Sequence, residues 1–361
     1  MKKTLIALAV AGTFAAPLAF ASTADVDFYG KFRVSVDHID NSIGWQMSDE
    51  TSRIGFKGAE DLGGGLKAIY QWESGFNMGT QQGAVASTGA AGFSSVTSGG
   101  TSLGAERDTF LGLAGDFGTV LAGRHDTPYK MAGSADLFAD TLADAQNTGA
   151  LCIICEDLRV NNAVAYVSPS FSGLTLVGAI VPGHGAAGTT AAKSQNSLAD
   201  AYSLAALYGN GPLSLSAGYE NLDHFVGSAA TGAGSAKQSA WKLNGSYTID
   251  SLKLGATYEA IDKIGGVDGL KTRDYLLSAA YGMGPITLAA QYGYRNFNSA
   301  ANAADNADLT DATIGVVYSL SKRTSTYLGY AHYKTKDASS GGVAVPEAKY
   351  NVVTVGLNHD F

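Results

Sequence analysis

The stretch Asp27-Phe28-Tyr29-Gly30-Lys31-Phe32-Arg33-Val34-Ser35-Val36-Asp37 alternates without a break. One parity holds Phe28, Gly30, Phe32, Val34 and Val36, and the other holds Tyr29, Lys31, Arg33, Ser35 and Asp37. Successive side chains of a strand point to opposite faces, so this strand has one apolar and one polar face. Leu66–Glu73 repeats the pattern, with Leu66, Ala68, Tyr70 and Trp72 against Lys67, Ile69, Gln71 and Glu73. Ala312–Tyr318 follows it less cleanly, and in Val352–Phe361 the residues Val353, Val355 and Leu357 alternate with Thr354, Gly356 and Asn358. Alternation suits a soluble antiparallel sheet as well as a membrane barrel, so the connections decide between them.

Short turns lie at 61–65, 115–118, 169–173, 209–212, 250–251, 282–285 and 321–322. Longer Ala/Gly/Ser/Asp-rich segments fall near 38–50, 74–105, 126–158, 182–198, 224–237, 263–271, 298–308 and 337–348. Seven short and eight long connections alternate strictly, and these fifteen join sixteen strands. Outer-membrane barrels have even strand numbers, short turns at one end and long loops at the other. A secreted sandwich has no reason to keep its long connections on one end. The pattern predicts an all-β fold, a 16-stranded antiparallel transmembrane β-barrel.

Composition agrees. The chain has 361 residues, 46 Gly, 7 Pro, 18 Tyr and 14 Phe, which suits many short strands joined by turns. Its net charge of −8 argues against a nucleic-acid partner, whose binding proteins are usually basic. Residues 1–21 read as a cleaved signal peptide, with Lys2 and Lys3 ahead of the apolar run Thr4–Phe14 and the site Ala19-Phe20-Ala21. The competing reading is an N-terminal anchor, for which the run is short. Loss of Lys2 and Lys3 takes the charge from −8 to −10 and leaves a barrel over 22–361. No later stretch of 18 apolar residues exists, so transmembrane helices are not expected.

Several runs carry a family resemblance: Phe28-Tyr29-Gly30-Lys31, Ser52-Arg53-Ile54-Gly55-Phe56-Lys57-Gly58 with Glu60 and Leu62-Gly63, and Tyr70-Gln71-Trp72-Glu73. Phe110-Leu111-Gly112-Leu113 with Phe117-Gly118-Thr119, Asn162-Ala163-Val164-Ala165-Tyr166, and Val355-Gly356-Leu357 before His359 and Phe361 extend it. Through them the chain resembles the trimeric sixteen-stranded general porins of Gram-negative bacteria, most closely the Neisseria and Comamonas branch. The resemblance implies an outer-membrane channel for passive diffusion of ions and small hydrophilic solutes, with no cofactor and no bound metal. It also implies a homotrimer, contact with outer-membrane lipid and lipopolysaccharide, and assembly machinery that reads the last strand through Gly356, His359 and Phe361. A third loop, about 126–158, would fold into the lumen as a constriction loop. The family's basic wall maps to Lys31, Arg53, Arg107 and Arg159, with Arg33 sharing the parity of Lys31; Arg124 would anchor the loop. If these converge, the pore prefers anions locally although the protein is acidic. Asp136, Asp140 and Asp144 stand at i, i+4, i+8, which a short helix would place on one face. On the residues alone that is a solvated acidic face; the resemblance makes Asp136 and Asp140 the negative wall.

Cys152-Ile153-Ile154-Cys155 has no second Cys pair and no neighbouring His. In an oxidising compartment a small disulfide loop is the expected state, one that departs from the general porins and tightens the loop's return. Asp37-His38 and Asp223-His224 are the only adjacent Asp-His pairs and the only hint of a barrel enzyme. The plentiful Tyr and Phe leave room for a substrate-selective channel with aromatic tracks, and the low-complexity run Ala84–Gly104 for an adhesive role.

Overall fold

A computed structural model describes residues 25–40, 44–81, 105–146, 152–183, 197–222, 237–299, 306–336, 338–340, 343–345 and 348–361. The expected signal peptide, the whole run Ala84–Gly104 and the Asp223-His224 pair lie outside these residues. The wall consists of β1 (Asp25–Ile39), β2 (Arg53–Gly63), β3 (Leu66–Gly75), β4 (Thr109–Gly115), β5 (Gly118–Asp126), β6 (Arg159–Val167), β7 (Leu174–Val181) and β8 (Ala201–Asn210). It continues as β9 (Leu213–Leu222), β10 (Gln238–Ile249), β11 (Leu252–Asp262), β12 (Leu270–Met283), β13 (Ile286–Ser299), β14 (Ala307–Ser319), β15 (Thr324–Lys336) and β16 (Ala348–Asp360). Each strand pairs antiparallel with the next. β16 returns to β1 in a register running from Lys31↔Asp360 to Ile39↔Val352, so the barrel is closed. Closure removes the unpaired edges that an open sheet would expose.

The seven short and eight long connections fall where the sequence places them. The turn after β2 is built by Gly63, Gly64 and Gly65, all with positive φ, where a side chain would strain the backbone. Three of the long connections are not all loop. Thr80–Gln81 and Ala105–Glu106 are short strands in the second, Ala338–Ser340 pairs with Val343–Val345 in the last, and in the first Gly44–Asp49 is a further strand that pairs with β1 above β2. Its alternating Trp45, Met47 and Asp49 read as loop only because the segment is short and follows Asp40.

The faces are inverted relative to a soluble protein. Phe28 is 74% exposed, and Phe32, Val36, Leu111, Leu204, Leu277, Ile314, Val355 and Leu357 also face outward. The opposite parity buries Ser35, Asp37, Glu73, Glu220, Lys242, Glu259, Asp274, Asp311 and Thr354. Such a surface suits hydrocarbon outside and water inside. Outward-facing Trp241, Tyr258 and Tyr275 pack ring to ring at 4.9 Å, and Tyr275 and Tyr294 follow at 6.5 Å. These rings form an interface girdle rather than a solute track, because they face away from the lumen. At the closure, Phe361 exchanges backbone hydrogen bonds with Gly30, covers that glycine and stacks on Phe32. A side chain at position 30 would collide with the Phe361 ring.

Candidate pore constriction

The segment between β5 and β6 opens with one short helix, Pro128–Met131. Thr127 caps it by accepting from the Lys130 amide, and Pro128 occupies the first turn, where its missing N–H costs nothing. From the helix onward, the backbone is held by inward side chains of the strands. Tyr129 N donates to Ser203 Oγ of β8 (2.8 Å), and Ser216 of β9 donates to the Ala132 carbonyl. Ala135 N donates to Thr257 Oγ1 of β11 (2.7 Å), and Leu137 N to Gln291 Oε1 of β13 (3.0 Å). Tyr333 OH of β15 donates to the Leu142 carbonyl at 3.3 Å. Such bonds satisfy a buried irregular backbone that has no ladder of its own.

Apolar packing adds to this. Phe138, Leu142, Ile153 and Ile154 are buried against Leu276, Leu309, Ala331, Tyr333 and Val352 of the inner wall. Each large side chain so buried contributes roughly 1.5–3 kcal/mol. Gly293 and Gly315 leave the room this needs. A Cβ at Gly293 would lie 2.8 Å from Ile153, and one at Gly315 would lie 2.6 Å from Phe138.

The tip meets the opposite wall. Asp140 pairs with Arg33 of β1, and its Oδ2 lies 3.8 Å from Arg53 Nη1 of β2. Arg53 and Arg107 both reach Glu73 of β3, Arg53 at 3.9 Å, and Tyr29 OH donates to Glu73 at 2.9 Å. Lys31 stands beside Arg33 and Arg53 on the same inner face. Burial opposes ionisation of Asp140, but Arg33, Arg53 and Arg107 outweigh it and hold its carboxyl below the ordinary range. Its side chain keeps 32% of its surface open, so water screens these charges.

The expected acidic helix face does not form. Asp140 has a φ of 58°, a left-handed conformation that breaks any helix. Asp136 accepts from Phe138 N (2.8 Å) and Ala145 N (3.0 Å), and Asp144 accepts from Asp140 N (2.8 Å) and Gln146 N. These carboxylates spend their oxygens on local turns, as short acidic side chains do. Asp136 and Asp144 are therefore buried beneath the tip, and burial raises both carboxyls, with their mutual repulsion adding for Asp144. Of the three, Asp140 alone faces the arginines. Arg159 stands within electrostatic reach of Arg107 and Glu73 and pairs with Asp108 (2.7 Å) and Asp126 (2.8 Å) where the loop leaves and rejoins the wall. Arg124 bonds Asn161 at 3.0 Å, and Lys130 joins Asp126 at 3.3 Å.

Cys152 and Cys155 are joined in a disulfide on the returning limb. Arg295 of β13 donates to the Cys152 carbonyl at 3.2 Å and to Cys155 Sγ. Glu259 of β11 accepts from Cys155 N and from Tyr129 OH, both at 2.9 Å. Fully buried Lys242 of β10 pairs with Asp157 and lies 4.4 Å from the Tyr129 ring centre. Sequence reading missed Glu73, Lys242, Glu259 and Arg295. Their signal is polar parity on strands, which nearly every inward residue shares.

Asp37 and His38 cannot act together. Asp37 is buried inward beside Ser35 and Ser48, whereas His38 faces outward on Trp45, ring centres 4.8 Å apart. The comparisons point the same way. Residues 5–338 match the model of the Gram-negative porin family. The chain belongs to that family. It is 31% identical to outer membrane porin protein 32 of Delftia acidovorans, with 100% of both chains covered. It is 29% identical to the major outer membrane protein P.IB of Neisseria gonorrhoeae over 90% of this chain and 91% of the other. Among solved structures, an anion-selective porin from Comamonas acidovorans superposes with a TM-score of 0.71 at 24% identity, covering 94% of this chain and 100% of that one. This porin is an outer-membrane channel for passive diffusion, not an enzyme.

Proposed function

We propose that the third loop, about 126–158, narrows the water-filled barrel to a charged aperture and that the aperture favours small anions. Sixteen strands about 4.8 Å apart and tilted about 40° enclose a backbone radius on the order of 16 Å. Such a lumen would not sort small ions by charge unless something crossed it. The observation that carries the reading is the reach of Asp140 to Arg33 and Arg53 on the far wall, while Tyr129, Ala135, Leu137 and Leu142 are bonded to β8, β11, β13 and β15. Lys31, Arg33, Arg53, Arg107 and Arg159 stand among Asp140, Glu73, Asp108 and Asp126, so positive charge is in slight excess. Opposed charges in a narrow opening set up potentials of several kT and select ions by sign. The Comamonas relative described as anion-selective supports the same sign.

A homotrimer, entry by a signal peptide over 1–21, assembly through Gly356, His359 and Phe361, and contact with outer-leaflet lipid belong to this reading. An OmpT structure from Vibrio cholerae in trimer form shares the fold at 18% identity. The test is the zero-current potential across a planar bilayer under a KCl gradient. A potential of the sign set by chloride supports the proposal, and one set by potassium overturns it.

A further inference from the structure

We propose that Asp37, Glu50 and the hydroxyl groups around them form a buried site for a calcium-sized hard cation, at the seam where β1 meets β16. Ser35 and Asp37 project inward from β1, and Ser48 projects inward from the inserted strand Gly44–Asp49, directly opposite Ser35. Glu50 follows on that strand, its amide donating to the Arg33 carbonyl at 3.0 Å. Thr354 of β16 lies opposite Asp37, and Gly356 lies opposite Ser35. Tyr327 of β15 lies opposite Gly356 and leans over it, so that a side chain at position 356 would collide with the Tyr327 ring. The missing side chain brings the phenol towards the hydroxyls of Ser35 and Thr354 and within electrostatic reach of both carboxylates.

Too few hydrogens reach these oxygens. The Ser35 oxygen lies 2.9 Å from Asp37 Oδ2 and 2.8 Å from Glu50 Oε1. A serine hydroxyl carries one hydrogen and an ionised carboxylate none, so one of the two contacts lacks a proton. The Ser48 hydroxyl accepts from Gln46 Nε2 and spends its own hydrogen on Asp37 Oδ2, at 2.5 Å. Asp37 Oδ1, Glu50 Oε2, Thr354 Oγ1 and Tyr327 OH are buried without a well-formed hydrogen bond. Asp37, Glu50 and Thr354 are each 0% exposed, and Tyr327 is 6% exposed. Among the described residues neither carboxylate is in an ion pair, and Arg33, on the same face of β1, is taken by Asp140. Buried charges in proteins are paired or hold a metal.

A single shared proton would complete one contact, whereas a cation engages the oxygens together. Spacings of 2.8–2.9 Å are those of neighbouring oxygens in a shell about 2.3–2.6 Å from calcium. Every side chain of the cage offers oxygen, which selects a hard cation over zinc or copper. Magnesium keeps several of its waters, which suits a buried cage of side chains poorly. An occupied site ties the first long connection to β1, β16 and β15 and so locks the seam at which the barrel closes.

The experiment uses the folded full-length protein in detergent, stripped with EDTA, and terbium as a luminescent stand-in for calcium. Tyr327 serves as the excitable donor at the site. The wild type should give tyrosine-excited terbium emission that calcium displaces with half-effect at about 10⁻⁴–10⁻³ M, the weak end of calcium sites, and that magnesium displaces less well. D37N/E50Q should bind at least about 100-fold more weakly, the upper end of what losing an outer-shell partner costs. Y327F keeps its ring over Gly356 and loses one oxygen, so it should fold, and its emission at saturation should fall. D311N removes a buried inner-wall carboxylate already served by Thr313 and Gln291, and it should bind as the wild type does. Heat-modifiable migration checks that each barrel is folded, and where D37N/E50Q fails to fold, Y327F decides. No calcium-displaceable emission from the wild type means that the pair holds a proton instead and overturns the proposal. Equal binding by D37N/E50Q, unchanged emission from Y327F, or equal loss in D311N each overturns it as well. Binding is read without channel current, so the outcome does not depend on the selectivity of the aperture.

Discussion

Replacing Asp140 with Asn removes one charge from the aperture and little else. Asn adopts the left-handed φ of 58° found here more readily than most residues, and the Asp140 amide still donates to Asp144. An ion passing about 6 Å from the carboxylate in water-like surroundings feels ~0.7 kcal/mol. The high dielectric is appropriate because 32% of this side chain is open. Anions and cations feel opposite signs, so the unscreened selectivity change is ~1.4 kcal/mol, or about tenfold. A Debye length of about 10 Å at 0.1 M salt cuts this to about fourfold, and one of about 3 Å at 1 M leaves under twofold. The assay is the zero-current potential of D140N and wild type under a threefold KCl gradient, centred first near 0.1 M and then near 1 M. Anion preference should rise about fourfold at the lower salt. An unchanged potential there, a shift towards cations, or equal effects at both salts would refute the reasoning. Acid gives a second check. The arginines hold the Asp140 carboxyl below its ordinary range, so its charge persists as pH falls and is lost only below that range. The difference in selectivity between wild type and D140N should persist from neutral pH to about pH 4 and vanish only below it.

Glu156 is half-buried near Glu220 and Glu259, and desolvation first, then those two carboxylates, push it up to about 8. It should be neutral at pH 7 and gain charge as pH rises through that value, lowering anion preference; a titration of E156Q should lack this step. Reducing the Cys152–Cys155 disulfide, or replacing both with Ser, frees the returning limb beside Arg295 and should alter single-channel conductance or open-channel noise. Identical traces with and without reductant would sink that idea. Gly293→Val should push Ile153 off the wall at a cost of about 1–3 kcal/mol to the loop's seating, read as a changed conductance with the heat-modifiable barrel intact. Phe361→Ala uncovers Gly30 and removes the Phe32 stack, and the yield of heat-modifiable folded barrel should fall.

The wall was legible because each strand repeats one simple rule. Alternation set the faces, and the strict sequence of short and long connections set the number of strands and which end carries the loops. The loop interior was not legible in the same way. Asp136, Asp140 and Asp144 share helical spacing, but Asx-type bonds and the left-handed Asp140 override it and send only one carboxylate to the arginines. Arg33 could be placed from strand parity, because parity survives any loop conformation, whereas Arg53 came from the family resemblance. Arg159, placed by the same resemblance, pairs with Asp108 and Asp126 at the loop's base. The apolar exceptions on the inner face, Leu276, Leu309 and Val352, were the sequence's mark of where the loop lies. They look like noise in a polar stripe until Phe138, Leu142, Ile153 and Ile154 are seen against them.

Polymer exclusion from the open channel tests the central claim most directly. Single-channel conductance is measured in KCl with polyethylene glycols of graded size. A segment crossing the lumen should exclude polymers whose radius is well under half of the roughly 16 Å backbone radius. Entry of polymers approaching the size of an unobstructed sixteen-stranded barrel, or the absence of any conductance from correctly folded protein, would contradict the account.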